Sequence, residues 1–325
     1  MGGGDFDMKK PLKIITGAAL GAGAACAVVG EVLYEAFLNM DVNKRMRDKG
    51  LFYKEEEARF WAENQIYAEG IKWFKSVAPE DISIPSRIGR DAFANIIPAD
   101  EKSSKWAIVI HGYTAGPASM SHYALKYHNQ GFNVLLPHML GHGPDKVRYC
   151  SMGYKDRLII LDWIKYILGA DPDAKILLHG VSMGSATTML VTGESLPSNV
   201  VCAVADCGYS SCWDEYAGQL KEMFGLPPFP LLYAANAVSK LRGNFDFKKC
   251  APKEAVMRSK TPTLFVHGED DAFVPFSMMK PLYESCSAPD KQMLSVPGAF
   301  HANSAFVENE LYWNTVDGFI GKYFE

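Results

Sequence analysis

The chain has 325 residues, of which 48% are hydrophobic, 12% aromatic and 22% charged. This composition excludes a disordered or fibrous protein and provides enough apolar surface for a large core. The formal net charge of -4, without a clustered Lys/Arg stripe in the globular part, argues against a nucleic-acid partner. The seven cysteines are too sparse for a disulfide scaffold and form no C-x-x-C pair. Because the sequence has no H-E-x-x-H motif and no compact Cys/His cluster, we predict no metal site, and we also predict no cofactor.

The N-terminal region contains an uncharged stretch of 17 residues, 14–30, that follows a group of lysines. Its length is at the short end of a membrane span, and Gly17 and Gly21 form the G-x-x-x-G pair of packed membrane helices. We therefore interpret residues 1–40 as a hydrophobic segment that anchors the protein to a membrane. A cleaved segment and an N-terminal helix packed on a soluble protein are the alternatives. Basic residues flank the stretch on both sides, so its orientation stays open, with the main domain on the cell surface or the cytoplasmic side.

Residues 41–80 are charged and helical in pattern. Their large apolar side chains can form one stripe, which we expect to pack on the main domain rather than to lie on a membrane. The stripe consists of Phe52, Phe60, Trp61, Ile66, Trp73 and Phe74. The sequence thus predicts a helical linker before the main domain.

From residue 81 to residue 325, short apolar strands alternate with helical patterns. Two short lead-in strands precede six apolar runs, at residues 106–113, 132–137, 174–180, 200–207, 261–268 and 291–298. Helical patterns lie at about 119–130, 155–168, 182–191 and 305–323. This alternation predicts an α/β fold with a mostly parallel sheet and helices on both faces.

A stretch at about 210–260 interrupts the alternation, because it is helical and rich in aromatic residues and proline. We interpret it as a small helical lid inserted between two core strands. Its apolar residues are candidates for the wall of a substrate pocket, together with residues of two neighbouring loops. The candidate pocket residues are Thr114, Phe224, Leu226, Phe229, Tyr233 and Phe273.

The most informative motif is G-x-S-x-G at Gly180 to Gly184, which follows an apolar strand and opens a helical pattern. In this setting a sharp strand-to-helix turn exposes a serine hydroxyl, here that of Ser182, and the glycines leave room for the turn. The helix N-terminus behind the serine favours developing negative charge. Ser182 is therefore the predicted nucleophile.

A serine needs a base, and the base needs a carboxylate to orient it. Both follow Ser182 in the required chain order: Glu269, Asp270 and Asp271 come after a late strand, and His301 comes after the last one. Strand ends bring such groups to one edge of a parallel sheet. His301 is the predicted base.

The oxyanion of an acyl-transfer transition state needs two donors that are already in place. One predicted donor is the backbone N–H of Met183, next to the nucleophile. The other is the N–H of Tyr113, in the H-G-Y-T stretch after an early strand.

With H-G-Y-T, G-V-S-M-G, H-G-x-x-D-x-x-V-P and a late G-A-x-H in this order, the chain resembles the α/β-hydrolase family over residues 81–325. The resemblance implies the α/β-hydrolase fold and a Ser182–His301–Asp271 triad, since Asp271 matches D-x-x-V-P and Asp270 is one residue out of register. Less specifically, the chain is similar to bacterial membrane-associated or cell-surface serine esterases. One departure is the loop 137–143, where His138 and Leu140 stand at the positions of the acidic and the basic residue that relatives often carry.

These features predict a serine hydrolase. Because the lid is apolar, we expect a carboxylesterase (EC 3.1.1) that cleaves small-molecule esters with short or medium acyl or aryl groups through an acyl-enzyme intermediate. The alternative is a serine peptidase of the aminopeptidase type, for which Asp206, Asp214 and Glu215 could hold an amine. Thioesterase, lipase and acyltransferase activities stay open, because one fold hosts many reactions. The oligomeric state is left open.

Overall fold

The computed structural model describes residues 26–49, 55–144 and 146–324. Most of the predicted anchor at 14–30 thus lies outside the described residues, as does Phe52. Within the described ranges, no helix is both long and apolar enough to cross a membrane.

An eight-stranded sheet forms the centre of the molecule, with the strand order β1-β2-β4-β3-β5-β6-β7-β8. The first two strands pair antiparallel with each other, β2 pairs antiparallel with β4, and all the remaining neighbours are parallel. The strands are β1 (Glu80–Ser86), β2 (Arg90–Ile97), β3 (Lys105–Ile110), β4 (Asn133–Pro137), β5 (Lys175–Val181), β6 (Val200–Asp206), β7 (Thr263–Gly268) and β8 (Lys291–Val296). This sheet confirms the predicted α/β-hydrolase fold.

The helices cover both faces of the sheet. They are α1 (residues 26–38), α2 (Met40–Asp48), α3 (Glu55–Glu63), α4 (Gln65–Val77), α5 (Ser121–His128), α6 (Asp156–Ala170), α7 (Met183–Thr192), α8 (Cys212–Phe224), α9 (Leu231–Gly243), α10 (Pro252–Val256), α11 (Met279–Ser285), α12 (Ser304–Val307) and α13 (Asn309–Phe324). Alternate strand residues face opposite sides, so Ile108 and Ile110 join the cluster under α6 and α7. Ala107 and Val109 join the cluster under α5 and α13.

The N-terminal helices pack on the catalytic domain. In α1, Tyr34 and Leu38 are buried, and the ring of Phe37 stacks on Tyr216 of α8 with centroids 4.2 Å apart. A Cβ at Gly30 would lie 2.8 Å from the carbonyl group of Ala234, so α1 and α9 approach closely at this glycine.

The aromatic stripe of residues 41–80 packs on the cluster under α5 and α13 through Phe60, Trp61, Trp73 and Phe74. Ile66, also assigned to the stripe, is exposed. The insertion contains α8, α9 and α10 and joins the end of β6 to the start of β7. All seven cysteines are free thiols, and every one from Cys150 onward is buried.

Candidate active site

Ser182 stands in a strained turn between β5 and α7. Its φ of 58° and ψ of -119° lie in a region that residues with side chains seldom adopt. The flanking glycines make this turn possible, because a Cβ at Gly180 would overlap the carbonyl of Gly184. A Cβ at Gly184 would in turn overlap the carbonyl of Ile110 in β3. The turn therefore projects the hydroxyl of Ser182 at the carboxyl edge of the sheet.

The loops after β5, β7 and β8 bring three predicted residues into one hydrogen-bonded chain. The Oγ of Ser182 lies 2.8 Å from Nε2 of His301. On the other side of the ring, Nδ1 of His301 lies 2.8 Å from Oδ2 of Asp271. If Nδ1 carries the proton, Nε2 is free to accept the proton of the hydroxyl, as a general base requires.

The carboxylate of Asp271 is buried and saturated with donors. Its Oδ1 accepts the backbone N–H groups of Phe273 at 3.0 Å and Val274 at 2.9 Å, and its Oδ2 lies 3.2 Å from Nε2 of His267. Burial alone would raise the pKa of Asp271, but the charge of His301 and the hydrogen bonds from His267 and His301 outweigh it and lower the pKa to about 2. Asp270, by contrast, is exposed.

The pKa of His301 is shifted in the opposite direction. Burial disfavours its charged form, but the carboxylate of Asp271 favours that form more strongly and raises the pKa of His301 well above its ordinary value. The thiol of Cys207 lies beside the ring, and burial raises the pKa of this thiol to about 11.

Cys207, Asp271 and His301 also form a group whose potential metal-ligand atoms lie within 4.8 Å of one another. A metal would need the thiolate of Cys207, which burial disfavours, and would compete with the bond between His301 and Asp271. The group therefore suits proton transfer better than metal binding.

The predicted oxyanion residues lie on either side of Ser182. Met183 is the first residue of α7, and Tyr113 follows Gly112 in the turn after β3. A Cβ at Gly112 would be 3.2 Å from the Cβ of Ser182, so the two turns are in close contact. The turn that carries Tyr113 and the first residue of α7 therefore both lie next to Ser182, as the prediction of two oxyanion donors requires.

Hydrogen bonds to two histidines link the loop 137–143 to the turn after β3. Nε2 of His142 accepts the backbone N–H of Thr114 at 3.0 Å, and Nε2 of His111 accepts the N–H of Met139 at 3.1 Å. Burial lowers the pKa of His142 to about 4, which keeps its ring neutral and able to accept. Neutral imidazoles therefore connect this loop to the turn that carries Tyr113.

Two cavities meet at Ser182. The larger, of about 410 Å³, also contacts Thr114 and His301, and the smaller, of about 70 Å³, also contacts Met183 and Phe273. Tyr113 lies between them and lines both. An ester bound at Ser182 can therefore place its acyl and alcohol parts in separate compartments.

The prediction that apolar lid residues line the pocket is wrong for three residues. Leu226, Phe229 and Tyr233 are 43%, 71% and 49% exposed, and none of them lines either cavity at Ser182. They lie on the outer side of the insertion, because α8 turns Tyr216 and Leu220 inward and the Pro-rich connection to α9 follows at the surface. The side chain of Phe224 is outside the described part of the chain.

Residues that sequence reasoning missed supply much of the cavity walls. The N-terminal helices contribute Phe37, Asn43 and Met46 to the smaller cavity. They also contribute Arg47, Ala58, Trp61 and Tyr67 to the larger one. The aromatic stripe indicated packing on the domain, but no signal in the sequence indicated that this packing covers the site.

Two buried polar groups, His122 and Glu215, line the cavities at the site. His122 lines the larger cavity, and its ring nitrogens have no hydrogen-bond partner within the described ranges. Glu215 lines the smaller cavity and is 4% exposed. The other two acids suggested as amine ligands are used elsewhere: Asp206 accepts the hydroxyl of Tyr312 at 3.0 Å, and Asp214 lies at the exposed start of α8.

Comparisons with known proteins agree with this geometry. Residues 106–232 match a family described as the alpha/beta hydrolase fold, and residues 204–302 match a serine hydrolase family, FSH1. The chain is 27% identical over 250 residues to the protein YqkD of Bacillus subtilis, which covers 76% of this chain and 81% of that one. It is 27% identical over 197 residues to the alpha/beta hydrolase domain-containing protein WAV2 of Arabidopsis thaliana, which covers 59% and 61%.

Among solved structures, the esterase Pf2001 of Pyrococcus furiosus is similar in fold. Its TM-score is 0.62 at 21% identity, over 78% of this chain and 96% of that one. The acylaminoacyl peptidase of Pyrococcus horikoshii superposes with a TM-score of 0.56 at 17% identity, over 75% of this chain and 42% of that one. The sheet topology and these similarities show that the chain has the α/β-hydrolase fold.

Proposed function

We propose that the protein is a carboxylesterase in which Ser182, His301 and Asp271 form the catalytic triad. The observation that carries the proposal is the pair of 2.8 Å contacts that link the three side chains through the two nitrogens of His301. In the first step His301 takes the proton of Ser182 as Oγ attacks the ester carbonyl. The N–H groups of Tyr113 and Met183 stabilise the oxyanion, and the alcohol leaves with the proton that His301 returns.

The acyl-enzyme is then hydrolysed by the same groups in reverse. His301 removes a proton from water, the hydroxide attacks the acyl carbon, and Ser182 leaves as its hydroxyl is reprotonated. Asp271 keeps its charge throughout and orients His301, which its low pKa and its set of donors support. The mainly apolar smaller cavity supports a preference for short acyl groups.

The test is the Ser182→Ala variant with p-nitrophenyl butyrate as substrate. We expect kcat/KM to fall by about four powers of ten or more, since the nucleophile is removed while the oxyanion donors remain. Mass spectrometry should place a fluorophosphonate adduct on Ser182 of the wild type. Ser185→Ala, one turn further along α7, is the matched control and should keep its activity and its labelling. Near-wild-type hydrolysis by Ser182→Ala would contradict the proposal.

A second candidate is a peptidase of the aminopeptidase type. The observation that favours it is the buried carboxyl of Glu215 beside Ser182, which could hold a substrate amine. A panel of aminoacyl-p-nitroanilides beside p-nitrophenyl esters separates the two: hydrolysis of the anilides at rates comparable to those of the esters would favour the peptidase.

We also propose that residues 14–30 attach the protein to a membrane. In support, the stretch is uncharged, and Val28, Val29 and Val32 are exposed on the first turns of α1. The test compares the full chain with a chain that begins at residue 26 in membrane fractions washed with alkaline carbonate. Equal recovery of both in the membrane-free fraction would contradict the proposal.

A further inference from the structure

The smaller cavity contains one polar atom with no hydrogen-bond partner. Glu215, in the first turn of α8, is 4% exposed, and its Oε1 accepts Nε2 of Gln219 at 3.1 Å. Its Oε2 is buried and has no partner within the ranges that the structure describes. Gln219 is held in place by a second bond, 2.7 Å from Nε2 to the carbonyl of Phe273. Oε1 of Glu215 is therefore held by a hydrogen bond, whereas Oε2 has no donor among the described residues.

The neighbouring hydroxyl groups do not supply a donor to that oxygen. Tyr113 and Tyr216 donate to the carbonyl of Phe37 at 2.7 and 3.4 Å, and Tyr209 donates to the carbonyl of Met152 at 2.8 Å. These bonds turn the hydroxyl protons away from Glu215. The remaining wall is largely apolar, so a donor for Oε2 has to enter the cavity from outside.

A buried carboxyl oxygen without a partner costs the fold free energy, typically about 1–3 kcal/mol. An apolar side chain of similar size at residue 215 would avoid this cost and would fill the same space. A group of this kind at the edge of an active site is therefore best explained by a ligand that completes its hydrogen bonds.

We propose that Glu215 is a specificity-determining residue that binds a hydrogen-bond donor, an amino or a hydroxyl group, on a short acyl group attached to Ser182. The inference rests on the proposed hydrolase function and names its substrate class. The cavity of about 70 Å³ is far smaller than the neighbouring cavity of about 410 Å³, so the acyl group that it accepts is short. The leaving group occupies the larger cavity of about 410 Å³.

The test uses p-nitrophenyl esters of propionate, β-hydroxypropionate and β-alanine. The bulky nitrophenyl group can enter only the larger cavity, so the acyl groups are compared in the smaller one. Each kcat/KM is divided by the rate of spontaneous hydrolysis of the same ester. We expect the wild type to favour the two donor-bearing esters over propionate by about tenfold to a hundredfold, the range of a hydrogen bond to a buried polar group.

Variants then assign this preference to Glu215. Glu215→Leu should lose the preference for both donor-bearing esters, because it has no acceptor. Glu215→Gln should keep the preference for the hydroxyl ester and lose that for the amine, because an amide can hydrogen-bond a hydroxyl group but cannot give up a proton and pair with an ammonium group. Glu222→Gln, on the exposed side of α8, is the matched control and should behave as the wild type.

The ratios are measured within one protein, so a partly unfolded variant does not mimic the result. Equal normalised rates for the three esters in the wild type, or an unchanged preference in Glu215→Leu, would overturn the inference while leaving the esterase function intact. If the wild type hydrolysed none of the esters, the proposed function itself would fail, and this inference with it.

Discussion

Three neighbouring acids follow β7, and their surroundings distinguish them. Glu269 and Asp270 are exposed, whereas Asp271 is buried with two backbone donors on one oxygen and two histidines on the other. Only a carboxylate in this position can hold the His301 ring at the tautomer that leaves Nε2 free for Ser182. Proximity in sequence therefore says little about which acid acts.

This difference leads to a prediction for the acids. Asp271→Asn should lower kcat for p-nitrophenyl butyrate by about four powers of ten, because the amide favours the wrong tautomer of His301. Asp270→Asn, the matched control one residue away, should stay within about threefold of the wild type, as its side chain is solvated. Steady-state kinetics of the two purified variants provide the measurement. A larger loss in Asp270→Asn would move the acid by one residue.

The pH dependence of the same site gives a second prediction. His301 must be neutral to act as a base, and Asp271 raises its pKa well above the ordinary 6.5. Activity should therefore be lost as pH falls through a midpoint above 6.5, and Asp271→Asn should shift the midpoint of its residual activity downward. A profile of kcat/KM from pH 5 to 9 measures this. A flat profile between pH 5 and 8 would argue against His301 as the base.

At the scale of elements, the N-terminal helices form part of the walls of the candidate site. Phe37 of α1 lines the smaller cavity and stacks on Tyr216 of α8, at 4.2 Å and an interplanar angle of 7°. The insertion contributes to this cavity through α8, whereas Phe229 and Tyr233 face the solvent. The site is therefore covered from two directions by segments that are more than 170 residues apart in sequence.

This arrangement predicts that Phe37 limits the length of the acyl chain. Phe37→Ala should extend the smaller cavity and shift preference from butyrate toward hexanoate p-nitrophenyl esters. Each accommodated methylene adds about 0.8 kcal/mol of burial, or about fourfold in relative kcat/KM. A chain-length series measures the shift. Phe229→Ala is the matched control and should leave the series unchanged. A shift of the chain-length preference in this variant would indicate that the exposed aromatic residues of the lid contact the acyl chain.

At the scale of the whole molecule, the site has a cost in stability. Burial raises the pKa of Glu215 to about 8, while the charge of His301 and the hydrogen bond from Gln219 lower it in part and Asp271 raises it further. Tyr209 and Cys212 are the other titratable neighbours, and burial raises the pKa values of both. The folded protein therefore retains the proton of Glu215 in a pH range in which the unfolded chain has lost it.

The sign of the effect follows from proton linkage. Below about pH 4.5 the carboxyl is protonated in both states, and its ionisation contributes nothing. Between about 4.5 and 8 the folded state binds the additional proton, so the free energy of unfolding falls as pH rises, and the loss is complete above about 8.

Glu215→Gln removes this titration. Its melting temperature relative to that of the wild type should therefore rise between about pH 5 and 8 and level off above about 8. Thermal unfolding followed by circular dichroism at matched ionic strength measures the difference, with Glu222→Gln as the control that stays level with the wild type. A difference between Glu215→Gln and wild type that does not vary with pH would contradict the raised pKa.

The strand pattern was predictable because each core strand is buried on both faces and reads as a continuous apolar run. The turn at Ser182 was predictable from its G-x-S-x-G pattern, although only Gly180 is required by a contact within the turn and Gly184 is required by a contact with Ile110 of β3. His301 and the group of acids were predictable because parallel strands all end at one edge of the sheet. These features depend on local chemistry and on one simple topological rule.

The tertiary structure alone decided which residues enclose the reaction. Phe37, Trp61 and Glu215 meet Ser182 through packing between distant helices, and the inward or outward facing of an amphipathic helix depends on its partner. Leu226, Phe229 and Tyr233 are exposed, which shows that an apolar stretch of sequence does not determine which of its side chains face the pocket. Local motifs therefore predicted the class of chemistry, whereas the shape and polarity of the pocket depend on long-range contacts.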